Sequence, residues 1–123
     1  MPKGIYMVFT ECIDPGREEE FNRWYSHTHL PDLSAAEGYV RSRRFFNLRP
    51  QGGPSKYLAL YEYESDDIEG AVADQGRVAM KTIADGRHVD FLRRVEGYVF
   101  QEIDAADYEP LESLEYPRTP SGS

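Results

Sequence analysis

Cysteine is all but missing from this sequence: Cys12 is the only one in 123 residues. An intrachain disulfide is therefore excluded, and a reducing, cytoplasmic setting is expected. Cys12 lies inside an apolar run, where a thiol behaves as a small buried hydrophobe rather than a nucleophile. Basic residues are also scarce, 14 Lys and Arg against 22 Asp and Glu, for a net charge of −8. That balance argues against nucleic acid or an anionic membrane surface as partner, because both reward basic patches. No apolar run approaches the roughly 20 residues of a membrane helix, and a strand-like run begins at Gly4, so neither a span nor a signal peptide is expected. There is no glycine-rich phosphate loop, nucleophile elbow or P-loop, so flavin and nicotinamide binding are not suggested. The expectation is a protein without cofactor.

What the chain does have is aromatic side chains: nine tyrosines, six phenylalanines and one tryptophan. Rings in that number suit an apolar small-molecule pocket. The length fits one domain, near the size at which association helps stability. Gly4 to Ile13 is apolar and rich in β-formers, a strand expected to be buried on both faces. Asp14 and Pro15 open a helix as N-cap and first residue, and Glu18, Glu19 and Glu20 suit its positive end. Pro31 should break this helix after Leu30, with a short turn to Ala36 and an end at Gly38.

Tyr39 to Leu48 and Tyr57 to Glu64 read as two alternating strands joined by a loop rich in Gly and Pro. In the second of these, Tyr57, Ala59, Tyr61 and Tyr63 share one face, though sequence does not say which face points inward. Ser65 to Asp67 cap a helix with an apolar line through Ile68, Ala71, Val72, Ala79 and Ile83. After Asp85-Gly86, the spacing of His88, Phe91, Leu92 and Val95 predicts a short helix, and Tyr98 to Asp104 a fourth strand. Glu37-Gly38-Tyr39-Val40 recurs as Glu96-Gly97-Tyr98-Val99, read as two equivalent passages from helix to strand. The pattern βαββαβ predicts an α+β, ferredoxin-like split-βαβ domain over residues 1–104, with a four-stranded antiparallel sheet. Its helices cover one sheet face, and pairing of the other face in a homodimer would bury it. Residues 105–123 carry no periodicity and are expected to form an arm or a disordered tail.

The stretch from Phe21 to Leu33 concentrates the candidate chemistry. On a wheel of about 100° per residue, Trp24, Tyr25 and Thr28 share the face of Phe21, His29 lies about 80° away on its rim, and His27 points elsewhere. An imidazole titrates near neutral pH, so His29 is the candidate proton carrier. Asp32 could orient it or act as a second acid/base group. Tyr25 and Tyr61 could donate hydrogen bonds to a developing enolate. Trp24, Arg44 and His88 are candidate substrate contacts, with Arg44 suited to an acidic group. A metal on His27, His29 and Asp32 would need an extended segment, since the two imidazoles diverge on a helix, and none is expected.

The run Glu20 to Tyr25, followed by His29-Leu30-Pro31-Asp32, Gly38-Tyr39 and Arg43-Arg44-Phe45, resembles the dimeric α+β-barrel superfamily, and within it the EthD-like branch. The resemblance covers Gly4 to Asp104 and implies a homodimer with an internal cavity, the family's helix-end histidine matching His29. The superfamily it resembles spans cofactor-free monooxygenases, cyclases, isomerases, haem enzymes and members with no known activity. The expected function is acid/base chemistry of isomerase, lyase or cyclase type on an apolar, aromatic or polyketide-like molecule. The alternatives are a cofactor-independent monooxygenase and a non-catalytic binding protein.

Overall fold

The computed structural model describes residues 1–49 and 51–103. The expected end of the last strand at Asp104 and the arm or tail at 105–123 lie outside the described residues. Strands β1 (Lys3–Cys12), β2 (Tyr39–Phe46), β3 (Tyr57–Glu64) and β4 (Leu92–Gln101) form one antiparallel sheet in the order β2-β3-β1-β4. Between β1 and β2 runs a composite helix: a 3-10 turn at Pro15–Arg17, α1 (Glu18–Trp24), a π-helical turn at Tyr25–His29 and α2 (Leu30–Leu33). Helix α3 (Ile68–Ala84) joins β3 to β4. The expected βαββαβ order and split pairing hold.

Several local expectations do not. The helix survives Pro31 because the preceding turn widens: Leu30 N–H bonds back to the Tyr25 carbonyl, five residues earlier. Proline has no N–H to place in the ladder, and the wider turn accommodates that loss. The short helix expected over His88–Val95 is absent. Residues 87–91 are loop, and Leu92 onward is strand, paired through Cys12↔Leu92 and Glu11↔Arg93. Apolar spacing alone could not separate a short helix from a strand here, and the unpaired edge of β1 decided it. The repeated Glu-Gly-Tyr-Val motif is therefore not a repeated boundary. Gly38 precedes β2 in a left-handed conformation (φ +81), whereas Gly97 lies in mid-strand.

The tyrosine row of β3 faces the helices: Tyr57, Tyr61 and Tyr63 are all buried, with Ala59 between them. Phe21 is fully buried among the rings of Trp24, Tyr25, Tyr57 and Phe91. Strand β1 is not buried on both faces. Ile5, Met7 and Phe9 are only half-buried on the outer side, whereas Gly4, Val8 and Thr10 are buried. In α3 the covered face runs through Ile68, Ala71, Gln75 and Thr82, and Ile83 is exposed instead of completing the apolar line. Asp14 and Asp67 do cap their helices, accepting from Gly16 N–H and Gly70 N–H.

Candidate functional site

A cavity of about 380 Å³ lies between the sheet and the helices. Val8, Leu33, Val72, Ala79 and Leu92 supply apolar wall, and the polar groups come from every layer. Tyr6 and Thr10 stand on β1, Tyr61 on β3, Arg94 on β4, Gln75 on α3, Tyr25 and His29 on the π turn, and His88 on the loop before β4. A second hollow of about 380 Å³ crosses the outer end of the sheet near Lys3, Val40 and Phe100. It holds none of the candidate residues, of which Tyr25, His29, Tyr61 and His88 line the inner cavity.

The π turn is what brings His29 inward. A wider turn advances fewer degrees per residue, which swings His29 from the rim expected on an α-helix toward the face of Phe21. His29 is 7% exposed, its ring stacked on Trp24 with centroids 4.6 Å apart and edge-on to Tyr25 at 4.9 Å. His27 points to solvent, and no group of metal-type ligands gathers among the described residues. Nδ1 of His29 is buried with no hydrogen-bond partner among the described residues, and so is Oγ1 of Thr10. Leaving such a group unpaired costs about 1–3 kcal/mol, so both atoms favour an occupant that can bond to them.

Burial, helped by the nearby His88 ring, pushes the His29 pKa down from 6.5 to about 4, against a smaller opposing pull from Asp32. The imidazole is therefore neutral at physiological pH. Burial likewise holds the Tyr25 and Tyr61 hydroxyls protonated. These two oxygens lie 3.5 Å apart, a loose pair that leaves a proton available to a ligand.

The other expected residues fall elsewhere. The Asp32 carboxylate does not orient His29: it takes both bonds of an Arg87 fork, at 2.7 and 3.0 Å. Arg87 holds it below the usual carboxylate range. Trp24 donates its indole N–H to the Arg87 carbonyl at 2.8 Å. Trp24 and Asp32 thus clamp the 87–91 loop, and His88 is presented edge-on to His29 at 5.6 Å. His88 Nδ1 lies 2.8 Å from the Val89 carbonyl, which fixes the ring. Arg44 lies on the far side of Tyr25, its guanidinium 4.5 Å from the ring centre and bonded to Asn22 and Ser26. It borders a separate hollow with Lys56 and Tyr57, not the cavity. Cys12 is outside the cavity too, its thiol donating to the Asp14 carbonyl.

Sequence reasoning missed Tyr6, Thr10, Gln75 and Arg94. Alternation along β1 puts Tyr6, Val8 and Thr10 on one face, a signal obscured by reading the strand as buried on both sides. Gln75 interrupts the apolar line of α3 at a buried position. Arg94 was hidden inside the mistaken helix.

No protein-family model and no curated protein matches the chain. Solved structures do. A dabb-family protein with a ferredoxin-like fold from Mesorhizobium loti superposes with a TM-score of 0.55 at 11% identity, over 85% of this chain and 98% of its own. The fold is ferredoxin-like. A putative antibiotic biosynthesis monooxygenase from Bordetella bronchiseptica matches this ferredoxin-like chain with a TM-score of 0.56 at 15% identity, over 85% of this chain and 99% of its own. An ethyl tert-butyl ether d (EthD) family protein from Bacillus halodurans matches at 0.51 and 16%, covering 84% and 100%. The resemblance read from the motifs is thus met at the level of the ferredoxin-like fold, which hosts many activities and assigns none.

The low pKa of His29 has a consequence for stability. Between about pH 4 and 6.5 the unfolded chain binds a proton that the folded site refuses, so stability rises with pH across that window. The contribution is present in full above pH 6.5 as the absence of a penalty, and the loss reaches up to about 3 kcal/mol near pH 4. Urea unfolding of wild type and His29→Leu should show their stability difference shifting by that amount in favour of the variant between pH 7 and pH 4. A difference independent of pH would contradict the buried, neutral imidazole.

Proposed function

We propose that the protein takes an apolar, aromatic or polyketide-like small molecule into the inner cavity and moves a proton on or off it, with His29 as the proton carrier. The observation that supports this best is a neutral, buried imidazole with an unpartnered nitrogen beside two protonated phenols. Neutral His29 can accept a proton from carbon next to a carbonyl, or from a phenol. The oxyanion that forms is met by a tyrosine hydroxyl from the Tyr25–Tyr61 pair, and the imidazolium is stabilised by the anion it has just made. Return of the proton at another atom is an isomerisation; loss of a leaving group or attack on a second carbonyl gives elimination or cyclisation. A resting pKa of about 4 makes His29 a weak base, so the proton removed must be an acidic one.

A second reading draws on the monooxygenase description carried by the Bordetella bronchiseptica neighbour. The same deprotonation of a phenol would give an electron-rich anion able to react with oxygen. Both readings use His29 first and diverge afterwards.

The outer sheet face fits a homodimer. Cross-strand pairing lines up Ile5, Met7 and Phe9 with Leu58, Leu60, Tyr98 and Phe100, rimmed by Arg41, Arg43, Glu62 and Glu96. Tyr98 and Phe100 are 45% and 48% exposed in the single chain. An apolar centre with a charged rim is the anatomy of an interface. Sedimentation should give a particle of two 14.1 kDa chains, and Leu60→Glu should convert it to one. A single-chain mass for the wild type at micromolar concentration would exclude this dimer.

Proton transfer is tested by solvent-deuterium exchange into a panel of aromatic and cyclic ketones, enols and phenols, followed by NMR. Exchange should fall by about 10²-fold or more in His29→Gln with the fold intact. Equal exchange in both proteins would remove His29 from the role. Retention of a ligand without exchange or oxygen uptake would instead support a binding protein, while oxygen uptake would support the monooxygenase reading.

A further inference from the structure

The chain carries a net charge of −8, yet among the described residues no carboxylate lines the inner cavity. Among the described lining residues, the side chain with a permanent charge is Arg94. Its presence there depends on an irregularity. Val8 pairs with Gly97 and Phe9 with Glu96, but Thr10 pairs with Arg94, so the β1–β4 register skips Val95. Without that bulge, Val95 would stand opposite Thr10 on the inner face and Arg94 would point away. Bulges re-aim side chains, often next to a site.

The guanidinium is also held in place. Arg94 Nη2 donates to the Tyr6 hydroxyl at 3.0 Å, and the side chain folds back over Gly97. A Cβ at position 97 would fall inside contact distance of that nitrogen, so glycine is what lets the guanidinium lie against the strand. Among the described residues no carboxylate pairs with Arg94. Arg94 is exposed, while His29 and Thr10 are buried.

We infer that the cavity takes a small molecule bearing a carboxylate, which docks on Arg94 at the mouth while its uncharged ring or carbonyl part reaches Thr10 and His29 inside. This rests on the small-molecule reading of the same cavity and narrows its substrate class to monoanions. Arg94 is a docking residue, separate from proton transfer. Gly97 and the bulge at Val95 are positioning features that aim it.

The test uses 2-naphthoate and its uncharged isostere 2-naphthamide, titrated calorimetrically into the full chain. A charge-assisted bond to arginine should make naphthoate bind about tenfold or more tightly than the amide in wild type. Arg94→Gln should erase that preference, weakening naphthoate binding about tenfold more than amide binding. Gly97→Ala, which displaces the guanidinium without removing it, should reduce the preference at unaltered charge. Amide and acid binding alike in the wild type, or a preference that survives Arg94→Gln, would overturn the carboxylate site and leave the cavity reading standing. Binding of neither probe by the folded protein would overturn both.

Discussion

Three buried tyrosines on β3, one of the two interior strands, tie the two layers together, and much of the packing around them serves their hydroxyls. A buried phenol is tolerated only with a partner for its polar end. Tyr57 reaches Glu18 and Asn22 at the start of the composite helix. Tyr63 donates to Gln75 of α3. The Tyr61 hydroxyl, between them, is met among the described residues by that of Tyr25 on the π turn, at 3.5 Å. Two of the three ties join the sheet to a helix away from the Tyr25–Tyr61 pair. The loose one opens on the cavity, next to the unpartnered atoms of Thr10 and His29.

The architecture was legible in the sequence because its signals were redundant. Asp14-Pro15 and Asp67 mark helix starts by local capping, and the alternation of β3 is long enough to stand alone. What could not be read was set by partners distant in sequence. Leu92 and Arg94 are strand residues because β1 offers them an edge, and a four-residue apolar spacing carries no trace of that edge. The inward face of β3 is likewise decided by helices contributed from both sides of it in the chain.

The site was half legible. His29, Tyr25 and Tyr61 do line one cavity, but the turn that buries His29 follows from how the chain absorbs Pro31, which the expectation of a break inverted. Asp32 and Arg44 are charges whose partners, Arg87 and the Asn22–Ser26 pair, were not inferable from spacing. Among the described residues no carboxylate enters the cavity, which is furnished with hydroxyls, two imidazoles and one guanidinium at the rim.

Proton transfer in the cavity depends on His29 being a desolvated, neutral imidazole. The most direct measurement is an NMR pH titration of the chain labelled with ¹³C,¹⁵N-histidine, the His29 signal being assigned by its loss in His29→Gln. The ring should stay neutral on acidification until about pH 4. Protonation near the ordinary value of 6.5 would contradict it, and would mean that the π turn does not close His29 away from water.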